Sequence, residues 1–137
     1  MRILIIDDSK TICYSFAELL RIKSHDAEYI SDAQEAYDYV KNNDLNEFDY
    51  IIVDLYLNGI AGIDIFNIIK DKGLKNKVIF MSGCNEKSEI FQKALGLKVP
   101  VIVKKFDPVQ LIDSINEGSI IEYTRKKLLE REIVPTY

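Results

Sequence analysis

Short runs of consecutive apolar residues alternate along this chain with longer segments whose apolar residues recur every three or four positions. The runs lie at 2–6 (RILII), 27–31 (AEYIS), 50–54 (YIIVD), 77–82 (KVIFMS) and 99–103 (VPVIV), and they read as strands. Between them, SKTICYSFAELLRIK sets Ile12, Phe16, Leu19, Leu20 and Ile22 mostly at helical spacing. A second helix is expected over 33–43 with Asp32 as its N-cap, a third over 62–72 stopping at Gly73, and a fourth over 86–96 ending at a glycine. A fifth opens with Asp107 at the N-cap and Pro108 at the first helical position.

Strands such as YIIV are apolar at successive positions, so both of their faces must be covered. The alternation therefore predicts an α/β domain, a parallel sheet sandwiched between helices. Right-handed crossovers bring every strand's C-terminal end to one edge of such a sheet, where ligands bind. Pro100 removes a ladder donor from the last run, which places that strand at the sheet's rim.

Beyond Gly118 the segment GSIIEYTRKKLLEREIVPTY predicts one more helix, bounded by Pro135. Ser119 and Glu122 match an S-x-x-E capping box. Ile120, Ile121, Thr124 and Leu128 are expected to form the docking side of this helix, either on its own domain or on a second copy. The domain division expected is thus 1–118 for the α/β unit and 119–137 for a C-terminal helical extension.

Composition narrows the class. With 137 residues, 47% of them hydrophobic and 29% charged, the chain is long enough for one globular core without disulfides or structural zinc. A net charge of -4 gives no footprint for nucleic acid. No apolar run approaches the ~18 residues of a membrane span, and the acidic turn after MRILII is unlike a signal peptide. Cys13 and Cys84 form no CxxC pair and read as reduced cytosolic thiols, Cys84 as a small filler residue. His25, in KSHDA, reads as a solvated loop residue.

The candidate chemistry lies at the strands' C-terminal ends. Strand one ends in Asp7 and Asp8, strand three in Asp54, strand four in Ser82 and strand five in Lys104. Clustered carboxylates repel unless a cation joins them, and an all-oxygen donor set favours Mg²⁺ over zinc. A divalent cation beside a lysine is equipment for phosphoryl transfer. With no phosphate-cradling glycine loop, the best acceptor is a carboxylate of the chain itself, and Asp54 on the central strand is the candidate.

Four segments in order carry a resemblance. IDDSKT, DYIIVDLYLNGIAGID, VIFMSG and VKKFDPVQLIDSI resemble the acidic pair, the phospho-acceptor segment, the strand with a switch Ser/Thr and the Lys-Pro-Phe segment of the CheY-like receiver domains of two-component response regulators. The resemblance implies a flavodoxin-like, doubly wound five-stranded sheet in the order 2-1-3-4-5. It implies phosphorylation of Asp54 by a histidine kinase or a histidine phosphotransfer protein. Mg²⁺ would be held by Asp8, Asp54 and the carbonyl of Tyr56, with Asp7 acting through water or as support. Lys104 and Ser82 would contact the phosphoryl oxygens. It implies a cytoplasmic signalling switch that supports only its own phosphorylation and dephosphorylation, with a downstream protein target and a possible homodimer through the extension.

Two other functions fit the sequence less well. A docking module that is never phosphorylated fits poorly with all five site residues being present. An aspartyl-nucleophile phosphatase expects D-x-D where this chain has Asp54-Leu55-Tyr56. Departures from the family pattern are Lys105 for proline after the lysine, Asn58 for proline, and Val101 where an aromatic is usual. With Val101 stiff and ringless, activation is expected to concentrate in the loops after Asp54 and Ser82.

Overall fold

The computed structural model describes residues 1–83 and 86–137. Five parallel strands, β1 (Arg2–Ile6), β2 (Asp26–Ile30), β3 (Tyr50–Asp54), β4 (Val78–Ser82) and β5 (Val101–Val103), form one sheet in the order β2-β1-β3-β4-β5. Their crossovers carry α1 (Lys10–Ile22), α2 (Ala33–Asn42), α3 (Gly62–Asp71) and α4 (Glu89–Leu95), and α5 (Pro108–Asn116) and α6 (Ile120–Glu130) follow β5. The register pairs Ile6 with Val53 and Ser82 with Val103, so the strand ends carrying polar residues lie together.

Strand side chains alternate between two buried layers. Leu4, Ile6, Ile51, Val53 and Phe80 pack with α2, α3 and α4, and Leu128 of α6 joins them. Ile3, Ile5, Ile52, Ile79 and Met81 pack with α1 and α5. This is why the central runs are apolar at every position. β5 is the edge strand, as Pro100 required. The proline stands just before it and its carbonyl accepts the Phe80 N–H at 2.8 Å.

Several elements differ from the sequence reading. α4 begins at Glu89, not residue 86, because the Ser88 hydroxyl accepts the Phe91 N–H and caps the helix there. β5 is confined to three residues. On α1 the buried stripe is Cys13, Phe16, Ala17 and Leu20, while Ile12 and Ile22 are exposed. The S-x-x-E box does not form. Ser119 occupies the N-cap of α6, but its hydroxyl turns to donate to the Ser114 carbonyl. Ile121 points outward, and Ile120, Thr124 and Leu128 are the buried side. His25 is buried, its Nδ1 3.1 Å from the Met1 amine, so the solvated-loop reading is corrected. Burial lowers its pKa. Cys13 is a buried free thiol whose pKa is pushed up to about 12, by burial first and then by the Asp7 charge. Cys84 lies outside the described residues. Among those described, no helix is long and apolar enough to cross a membrane.

Candidate functional site

β1 and β3 are neighbours, so their C-terminal ends bring Asp7, Asp8 and Asp54 together. One carboxylate oxygen from each lies within 4.8 Å of the others. Asp7 and Asp54 are buried and Asp8 is exposed. Local backbone geometry fixes each of them. Asp7 Oδ1 accepts the Ser9 N–H at 2.9 Å and Asp54 Oδ1 accepts the Tyr56 N–H at 3.0 Å, two turns closed by an aspartate on the residue two ahead. Asp8 Oδ2 accepts the Asn58 N–H at 3.0 Å, which ties the β1 end to the loop after β3.

Lys104 follows β5 and reaches back across the sheet edge. Its Nζ is 2.7 Å from Asp54 Oδ2 and 2.9 Å from Asp7 Oδ2. Its backbone N–H donates to the Ser82 carbonyl at 2.6 Å, which locks the ends of β4 and β5 together. Ser82 is fully buried on β4, one strand from Asp54. Tyr56 is half-buried, and its hydroxyl is hydrogen-bonded to Ser88 at the start of α4. All the residues read as site candidates therefore lie at one edge, with Tyr56 fixed through its N–H and its hydroxyl.

Close approach of helix and strand permits this arrangement. Gly62 opens α3 with its N–H on the Leu55 carbonyl at 3.0 Å. A Cβ there would fall 2.1 Å from the Asp54 carbonyl oxygen. Only glycine lets α3 start so near the strand end.

The electrostatics are strained in the way a cation site is. Three carboxylates face one ammonium. Burial pushes the Asp54 pKa up to about 6, and the Asp7 charge adds to this, against the opposing pull of Lys104 and the Tyr56 N–H. Burial also works against the Lys104 ammonium, but its hydrogen bonds to Asp54 and Asp7 prevail and its pKa is raised. Asp7 Oδ2 is buried and, among the described residues, takes no hydrogen bond beyond that ion pair. The donors are all carboxylate oxygens, one of them exposed and open to entry. The residues present fit a hard divalent ion that keeps several waters.

Sequence reasoning missed the Asn58 and Ser88 contacts and the steric reason for Gly62. Ser88 carried a signal, a serine just before a helical run. Asn58 carried none, since its backbone and not its side chain does the work.

Known proteins resemble this chain in sequence and in fold. The family model of the response regulator receiver domain matches residues 3–116. The chain is 30% identical over 120 residues to chemotaxis protein CheY-3 of Vibrio cholerae, covering 85% of this chain and 90% of that one. It is 25% identical over 135 residues to the transcriptional regulatory protein DltR of Streptococcus agalactiae, covering 93% of this chain but 58% of that relative's length. A receiver domain from Clostridium thermocellum superposes with a TM-score of 0.71 at 28% identity, covering 93% of this chain and 98% of that one. The Mg²⁺-beryllofluoride complex of TrrA from Thermotoga maritima shares the fold, with a TM-score of 0.66 at 22% identity over 85% of this chain and 96% of that one.

Proposed function

The chain belongs to the response regulator receiver domain family, and we propose that it is a phosphorylation-controlled switch whose acceptor is Asp54. One observation carries the reading. Asp54 ends the central strand with Oδ1 held by the Tyr56 N–H and Oδ2 held by Lys104, beside Asp7 and Asp8. That fixes a nucleophilic oxygen next to the charges that phosphoryl transfer needs.

In the proposed reaction an Asp54 oxygen attacks the phosphorus of a phosphohistidine on a histidine kinase or phosphotransfer protein. The new O–P bond forms as the N–P bond breaks, and the departing imidazole nitrogen takes up a proton. Mg²⁺ held by Asp8, Asp54 and the Tyr56 carbonyl, with Asp7 in support, would supply positive charge to the phosphoryl oxygens. Lys104 Nζ releases Asp54 Oδ2 and follows the negative charge onto the phosphoryl group. The Ser82 hydroxyl donates to a second phosphoryl oxygen. Asp7 keeps Lys104 ionised and aimed while this happens.

Residues 1–118 carry this chemistry and 119–137 form the extension. Beyond its own phosphorylation and dephosphorylation the domain performs no catalysis. Its signal leaves through a downstream protein target in the cytoplasm. The test is intact-mass analysis after incubation with acetyl phosphate. One phosphoryl group should appear with Mg²⁺ and none in EDTA or in Asp54→Asn. Undiminished labelling of that variant overturns the reading.

A further inference from the structure

β5 is an edge strand, and an edge strand exposes N–H groups that need partners. At Val101 the partner comes from the far end of the chain. The Val101 N–H donates to the Tyr137 hydroxyl at 3.1 Å, and that hydroxyl donates to Thr124 Oγ1 at 2.9 Å. Thr124 is fully buried, and its own hydroxyl donates to the Ile121 carbonyl at 3.2 Å. The relay ends with every group satisfied.

The rest of the segment is seated as firmly. Ile133 and Leu128 are buried in the same apolar layer as Phe91, Leu95, Val99 and Val101, and Tyr137 packs against that layer. The Thr136 hydroxyl donates to the Leu95 carbonyl at the end of α4. Arg125 Nε donates to the Tyr137 carbonyl at 2.8 Å. Ile133–Tyr137 thus bridges the end of α4 and the rim of β5. The turn into it is held under tension, because Glu132 has φ +62°, a left-handed conformation that a side chain disfavours.

Val101 is also the first residue of a three-residue strand that runs straight into Lys104. We propose that Ile133–Tyr137 is a clamp on β5, with Tyr137 a positioning residue that holds Lys104 against Asp54, and that phosphorylation of Asp54 loosens it. The inference rests on the functional reading above. Once Asp54 Oδ2 is no longer a free carboxylate oxygen, Lys104 must move to the phosphoryl oxygens. Its N–H is bonded to the Ser82 carbonyl, and in this proposal the pull on Lys104 that its side chain does not absorb is passed along β5. A bond already at 3.1 Å fails within about half an ångström more. Reciprocity then requires the clamp to weaken phosphoryl binding by the factor by which phosphoryl binding weakens the clamp. Val101 has no ring of its own to move, and the tail provides the group that senses the strand, so the clamp extends activation to β5, beyond the loops after Asp54 and Ser82 that the sequence alone pointed to.

The test is amide exchange by NMR on the full 137-residue chain with Mg²⁺, with and without beryllofluoride. Saturating beryllofluoride should speed exchange at the Val101 amide by about tenfold or more. Tyr137→Phe, which keeps the ring and loses the hydroxyl, should bind beryllofluoride about fivefold more tightly or better, within the usual range of coupling. Val40→Ala, on α2 away from the tail, controls for lost stability and should leave the affinity unchanged. If beryllofluoride shifts the Asp54 and Tyr56 resonances but Val101 exchange or the Tyr137→Phe affinity stays at the parent value, the clamp is refuted and the functional reading stands. If beryllofluoride does not bind, the functional reading itself falls, and the clamp with it.

Discussion

Asp54 is held in two ways that oppose each other. Burial favours its neutral form, whereas the acceptor role proposed for it needs the carboxylate. With a pKa raised to about 6, the folded protein holds this proton more tightly than the unfolded chain does. Stability should therefore fall as pH rises from about 4 to 6 and stay lower above that. Asp54→Asn removes the penalty. It should be more stable than the parent at pH 7 by up to about 3 kcal/mol, a rise of several degrees in Tm. The gain should vanish near pH 4, and thermal melts across that range check it. The aspartates at strand ends and the lysine after β5 were legible because residue type and position alone identify them. The burial of His25 was not legible, because its contact with Met1 comes from strands that meet only in the fold.

Among the elements, α3 and α5 were readable from local chemistry. Gly73 in a left-handed conformation stops one, and the Asp107 side chain accepting the Val109 N–H starts the other. The start of α4 differs from the sequence reading because Glu86, Lys87 and Ser88 are all polar and hold no apolar spacing to mark a boundary, so only the Ser88 capping bond decides it. The capping box of α6 failed because Ser119 found a better partner in Ser114, five residues back on the preceding helix. α3 yields a sharp prediction. Gly62→Ala sets a Cβ against the backbone of Asp54 and Leu55, which cannot rotate away. It should cost at least about 2 kcal/mol in urea unfolding. Because α3 must then shift from the acceptor strand, it should also slow labelling by acetyl phosphate even where the variant is fully folded. Alanine at Gly59, where a Cβ meets nothing but φ is +87°, should lower stability by about 1 kcal/mol and spare the labelling rate.

For the whole molecule, the site should act as a thermodynamic sensor of divalent cations. Mg²⁺ at ten times its Kd should add about 1.4 kcal/mol to the parent. It should add clearly less to Asp54→Asn, which loses one carboxylate of the set. Equal Tm gains in the two proteins would remove Asp54 from the cation site. The extension spends Leu128 and Ile133 on its own domain, leaving Ile121, Leu129 and Val134 outside. Deleting 119–137 uncovers the β5 rim and its apolar seat, so light scattering should report more self-association after truncation. A dimer of the full chain that disappears on truncation would instead make the extension an interface between copies. The docking of Tyr137 on Val101 could not be read from the sequence. A tyrosine 36 residues downstream carries no periodicity or cap to announce its partner.

The acyl phosphate is proposed to form on Asp54. Borohydride reduction reads this directly, since it converts an aspartyl phosphate to homoserine, and peptide sequencing then locates the altered residue. After treatment with acetyl phosphate and Mg²⁺, homoserine should appear at position 54. Homoserine at position 7 or 8, or at none of the three, would rule out Asp54 as the acceptor.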